Sequence, residues 1–137
     1  MKYLVLLIEG KRIDRPSYMA GLTKKDFIVE SVSSGTEAIK KLKEINPNAV
    51  IVDAASMRTT GTRICASLRK VLNEIPIILI LGANVSKINE SCADEVLYLP
   101  FTLQKLLNRL RPYMATEKNK KLKMINFTCR CNHKFCI

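Results

Sequence analysis

Ala49-Val50-Ile51-Val52-Asp53 puts four apolar residues in a row and closes them with a carboxylate. Polar residues bracket the run, Asn46-Pro47-Asn48 before it and Ser56 after it. A short stretch that is apolar at consecutive positions predicts a strand buried on both faces, inside a parallel sheet. Asp53 then stands at the carboxyl edge of that sheet, where open α/β folds take their ligands.

The same kind of run recurs along the chain, with helical patterns between. Tyr3 to Ile8 reads as a first strand, Phe27 to Val32 as a second, Ile75 to Leu81 as a fourth and Glu95 to Leu99 as a fifth. Pro16 suits the first turn of a helix carrying Ile13, Met19 and Leu22 on one face. Ser33, Ser34, Thr36 and Glu37 cap a second helix running to about Ile45, with Ala38, Ile39, Leu42 and Ile45 inward. Its Lys40, Lys41 and Lys43 form a solvated face. After a polar loop from Ala54 to Gly61, a third helix turns Ile64, Cys65, Leu68, Val71 and Leu72 inward. Residues 85–92 leave room for about two helical turns. Thr102 caps a last helix from Leu103 to about Met114 that buries Leu103, Leu106, Leu107 and Leu110. Strands alternating with helices predict an α/β fold, a parallel sheet covered on both faces and joined by right-handed connections.

A chain of 137 residues suffices for one domain with a real core and a short appendage. We place the domain at 1–115 and a basic linker or tail at 116–137, a possible start of a truncated output domain. The longest uncharged apolar run, Tyr3 to Ile8, is far too short to cross a membrane. Glu9, Lys11 and Arg12 follow it at once with no small-residue cleavage site, unlike a signal peptide. A cytoplasmic location with no membrane partner is the expectation. No glycine-rich phosphate loop follows the first strand and the single histidine lies in the tail, so an enzyme is not expected.

Net charge is +11, and residues 116–137 hold six Lys/Arg against one Glu. A solvated linker accounts for that, while a stand-alone nucleic-acid-binding module remains the alternative. Three of the five cysteines, Cys129, Cys131 and Cys136, fall in the last nine residues beside His133. That is a zinc ligand set, but C-x-C-x-H-x-x-C departs from the usual C-x₂₋₄-C pairs, and zinc is not expected. The competing reading is a strand over Met124 to Cys131, turned at Asn132-His133 into Lys134 to Ile137.

This order of elements resembles the receiver domain of two-component response regulators, over residues 2 to about 114. Val5-Leu6-Leu7-Ile8-Glu9 is similar to the first strand entering the family's acidic pair, and Val50-Ile51-Val52-Asp53 to the strand bearing the phosphoacceptor. Gly61 stands where the family has its loop glycine, and Pro76 to Leu81 resembles the fourth strand. Cys92-Ala93-Asp94-Glu95-Val96-Leu97-Tyr98-Leu99-Pro100-Phe101 is similar to Gly-Ala-Asp-Asp-Tyr-Leu-x-Lys-Pro-Phe. The resemblance implies a flavodoxin-like, doubly wound five-stranded sheet in the order 2-1-3-4-5, with the fourth helix here shortened or absent.

It also implies phosphoryl transfer to Asp53 with a divalent cation, and here the chain departs from the pattern. The acidic pair is Glu9-Gly10, leaving one acid where hard cations want several oxygen ligands. Leu99 replaces the lysine, Gly82 the hydroxyl after strand four, and Val96 the switching aromatic. The backbone carbonyl of Ala55 survives. We therefore expect a pseudo-receiver in which Asp53 occupies the phosphoacceptor position without working as one. Glu9 is a remnant acid, Asp53 a relic at a solvent-facing edge, and no cofactor is expected, Mg2+ binding included. A receiver still phosphorylated at Asp53 is the other alternative. Implied partners are a second copy, through the side made by helix 4, strand 5 and helix 5, and a histidine kinase or another regulator. DNA is reached through a C-terminal domain; a weak likeness of the tail to the opening sheet of winged-helix domains points the same way.

Overall fold

The computed structural model describes residues 3–10, 17–57, 60–72, 74–83 and 92–114. In chain order these hold β1 (Tyr3–Glu9), α1 (Tyr18–Lys24), β2 (Phe27–Val32), α2 (Gly35–Lys41), β3 (Ala49–Asp53), α3 (Thr62–Val71), β4 (Ile77–Leu81), β5 (Glu95–Tyr98) and α4 (Leu103–Leu110). A 3-10 turn at Ala54–Ser56 follows β3, and another at Arg111–Met114 follows α4. All strand pairs are parallel, in the order β2-β1-β3-β4-β5. This is the expected doubly wound sheet.

The period-2 alternation of each strand splits the core in two. Val50 and Val52 join Leu6, Ile8, Ile77, Leu79 and Leu81 under α2 and α3, which contribute Ala38, Cys65 and Leu68. Ala49 and Ile51 join Val5, Leu7, Ile78 and Ile80 under α1 and α4, which contribute Leu22, Leu106, Leu107 and Leu110. Being central, β3 and β4 are buried at every residue, which is why their sequences are apolar without alternation.

Several details differ from the sequence reading. The first helix starts at Tyr18 with Ser17 as its N-cap, and Tyr18 and Leu22, one turn apart, face the core. Met19 lies a further hundred degrees or so round that helix and is 41% exposed. Ile13 and Pro16 lie outside the described residues. The second helix closes at Lys41, because Lys43 N–H and Glu44 N–H bond three residues back, to Lys40 and Lys41 carbonyls. Leu42 and Ile45 still pack against the core from that tightened end. β4 begins at Ile77 and β5 ends at Tyr98. The last helix tightens to 3-10 at Arg111, where Pro112 has no N–H to continue the ladder.

Val71 is 52% exposed instead of inward. The inner stripe of α3 runs through Cys65, Leu68, Arg69 and Leu72, so a buried guanidinium takes the place the sequence reading assigned to Val71. Arg69 Nη2 bonds Asp94 Oδ2 at 2.7 Å and the Cys92 carbonyl at 2.9 Å, and its Nη1 bonds the Ile75 carbonyl at 2.9 Å. Asp94 Oδ2 also accepts from Ile77 N–H at 2.7 Å. These bonds tie α3 to the starts of β4 and β5, at the sheet edge opposite Asp53. The expected short or missing fourth helix at 85–92 falls almost wholly outside the described residues, as do both readings of the tail.

Candidate functional site

At the carboxyl edge of the sheet, β1 and β3 end side by side with Glu9 and Asp53 in register. The two acids are therefore backbone neighbours, as the sequence pattern suggested. Their surroundings differ from the expectation of an open edge. Asp53 is 1% exposed, and Ala54 and Ser56 of the 3-10 turn that follows it are buried as well.

Ser56 holds that turn in place. Its Oγ donates to the Asp53 carbonyl at 2.7 Å and accepts from Gly10 N–H at 2.8 Å. One hydroxyl thus satisfies a donor at the end of β1 and an acceptor at the end of β3. The approach is close: a Cβ on residue 10 would overlap the Ser56 carbonyl oxygen and stand 2.8 Å from Met57 Cγ. Only a residue without a side chain fits there while the turn keeps this position.

Glu9 is engaged on its other side. Its Oε1 accepts from Ser17 Oγ at 2.7 Å and its Oε2 from Tyr18 N–H at 3.3 Å. Ser17 in turn caps α1, accepting from Met19 N–H at 3.1 Å. The carboxylate therefore completes a helix N-terminus, where negative charge is favoured. Next to it the Tyr18 ring stacks on Phe101, with centroids 5.8 Å apart and planes 7° from parallel. Leu99 packs against the cluster of Val5, Leu7 and Ile80. Val96, in the aromatic's place, packs into the core on the opposite face, and Gly82 is half-buried after β4.

Gly61 has φ +74°, and a Cβ there would come 2.6 Å from Leu79 Cδ1 and 3.0 Å from Ala54 Cβ. Gly61, the N-cap of α3, thus lies hard against the turn that follows Asp53. At the far edge of the sheet, burial pushes the Cys65 thiol up to about 12, with Cys92 adding to the effect. Burial likewise raises Cys92, opposed by the Arg69 charge. Both thiols stay protonated near neutrality, as inert core residues.

Residues 5–111 match the response regulator receiver domain. The chain belongs to that family. Among curated relatives, Response regulator MprA of Mycobacterium ulcerans is 27% identical over 123 residues, covering 86% of this chain and 53% of its own length. The chain thus spans about half the length of the curated relatives it matches. Among solved structures, the receiver domain of sensor histidine kinase PA1611 from Pseudomonas aeruginosa superposes with a TM-score of 0.70 at 21% identity, over 85% of this chain and 100% of that one. That structure has a magnesium ion coordinated in its active-site cleft. Response regulator TrrA of Thermotoga maritima, in complex with Mg2+ and BeF, gives 0.70 at 21% identity, over 81% of this chain and 98% of its own. This receiver is thus a signal-transduction domain by family, and among its described residues no helix is long and apolar enough to cross a membrane.

Of the residues singled out in the sequence, the receiver fold brings Glu9, Gly10, Asp53, Ala55, Gly61, Gly82 and Leu99 to its carboxyl edge. Two residues that shape the domain were missed. Ser56 was read only as a polar flank, although a hydroxyl three residues after Asp53 is well placed to close a 3-10 turn. Arg69 belongs to no motif in the sequence, although its spacing of four from Cys65 puts it on the apolar stripe.

Proposed function

We propose that the chain is a pseudo-receiver: a receiver module that acts through protein–protein contact, independently of phosphorylation at Asp53. The observation that carries this reading is the engagement of the Glu9 carboxylate with Ser17 and Tyr18. The one acid left of the family's pair is spent on a helix cap. A hard divalent cation needs several oxygen ligands, and this corner offers Asp53, the Ala55 carbonyl and a Glu9 already bonded elsewhere. No set of three or more His, Cys, Asp or Glu gathers as metal ligands among the described residues. Among the described residues, this donor set does not fit the cation. Leu99 supplies apolar packing where a phosphoryl group would need a fixed positive charge.

The module works by docking, with no chemistry of its own, in the cytoplasm. Its partner face is the side of helix 4, strand 5 and helix 5, of which β5 and α4 (the fifth helix of that count) lie among the described residues, and it serves a second copy or another regulator such as a histidine kinase. Glu95 on β5 pairs with Arg109 of α4 at 3.1 Å and accepts from Tyr113 Oη at 3.2 Å, which joins the two elements into one surface. The boundary at residue 115 and a DNA-binding output beyond it fit relatives that are about twice the matched length.

Incubation with acetyl phosphate and magnesium, read by intact mass, tests the reading. No aspartyl-phosphate species is expected. A stoichiometric mass shift that disappears in Asp53→Asn overturns it.

A further inference from the structure

We infer that Gly10 and Ser56 form a mutually dependent latch that closes the cation corner of this receiver. Restoring an acid at position 10 then does not rebuild a cation site unless the latch is also released. The inference deepens the pseudo-receiver reading and rests on it.

The geometry has two halves. Ser56 Oγ bridges Gly10 N–H at 2.8 Å and the Asp53 carbonyl at 2.7 Å, pinning the turn after β3 to the end of β1. The pinned turn then puts a backbone atom, the Ser56 carbonyl oxygen, into the space that a Cβ on residue 10 needs. A flexible side-chain end such as Met57 Cγ, at 2.8 Å, gives way at low cost, but a carbonyl in a hydrogen-bonded turn does not. Each half requires the other. The serine draws the turn in only because residue 10 has no side chain, and the missing side chain leaves a close approach for the serine to hold. The turn is buried with it: Ala54 is 1% and Ser56 6% exposed.

The absence of the second acid is therefore more than one lost ligand. Any carboxylate placed at residue 10 starts from a Cβ that the turn excludes. Glu9, bonded to Ser17 and Tyr18, does not compensate from the neighbouring position.

The test is a double-mutant cycle on the full chain, read by urea unfolding. Gly10→Ala supplies the offending Cβ alone, Ser56→Ala removes the hydroxyl bridge, and the third variant carries both. Gly10→Ala is expected to raise the unfolding constant roughly tenfold to a hundredfold. In the Ser56→Ala background the same change should cost clearly less, because the turn is free to withdraw. Gly10→Ala at wild-type stability, or costs that simply add, overturns the latch. A second arm titrates magnesium chloride into Gly10→Asp and Gly10→Asp/Ser56→Ala and follows the urea midpoint. A magnesium-dependent rise in the double variant alone supports the latch. An equal rise in Gly10→Asp, or none in the double variant, counts against it. Phosphorylation of the wild-type chain, by contrast, sinks the pseudo-receiver reading and is scored in the separate mass assay.

Discussion

Arg69 and Asp94 form a salt bridge of 2.7 Å with both side chains almost wholly withdrawn from water. The guanidinium also bonds the carbonyls of Ile75 and Cys92, and the carboxylate the N–H of Ile77. Burying the two charges is costly, and the network offsets that cost only while both partners are present. Asp94→Ala and Arg69→Ala should each lower stability by about 3–5 kcal/mol in urea unfolding. Arg69→Leu/Asp94→Leu should cost clearly less than the sum of the single changes. Losses that simply add in the double variant would falsify this account of the edge.

Stability should fall at alkaline pH. Cys65 is raised by burial from 9.0 to about 12. The folded state therefore holds the thiol proton more tightly than the unfolded chain. The contribution is complete below about pH 9 and is lost as pH rises from there toward 12. Cys92 is raised by the same cause and acts in the same direction. Urea midpoints measured from pH 7 to 11 should drop on the alkaline side, and Cys65→Ala should flatten that drop. A curve of unchanged slope in Cys65→Ala would remove the thiol as its source.

Glu9 should contribute to stability as a cap. Losing its bonds to Ser17 Oγ and Tyr18 N–H should cost about 1–2 kcal/mol in Glu9→Ala. If Glu9 instead mainly repelled the neighbouring Asp53, the same change would stabilise the domain. The sign of the shift in thermal midpoint decides between the two.

Gly61 combines φ +74° with a Cβ space already filled by Leu79 Cδ1 and Ala54 Cβ. Gly61→Ala should therefore lose about 1–3 kcal/mol from backbone strain and overpacking together. A near-neutral change in the unfolding midpoint would show that the loop relaxes freely.

Much of the fold was legible in order of residues alone, for a physical reason. Central strands of a parallel sheet are buried on both faces, so Ala49–Val52 and Ile77–Leu81 announce themselves as unbroken apolar runs. Helix starts at Ser34 and Thr102 were legible because a side-chain oxygen caps nearby N–H groups, and both caps form. Helix ends were less so. Nothing local marks Lys41 as the last helical residue, since the turn after it still delivers Leu42 and Ile45 to the core. Val71 reads as inward by its apolarity, while Arg69 takes the inner stripe because Cys92 and Asp94, 23 and 25 residues away in sequence, satisfy its charge.

At the site, sequence alone determined which groups are present: one acid at Glu9, none at Gly10, Asp53 at the end of β3, and no lysine at Leu99. Identity at matched positions is a local property, readable once the strands are recognised. What those groups do to one another was decided by tertiary structure. The Ser56 bridge to Gly10 depends on where β1 and β3 end relative to each other, and the turning of Glu9 to Ser17 and Tyr18 on how the chain returns from β1 into α1. The Ser56–Gly10 bond joins residues 46 apart in the chain, and no local pattern encodes a hydrogen bond of that separation.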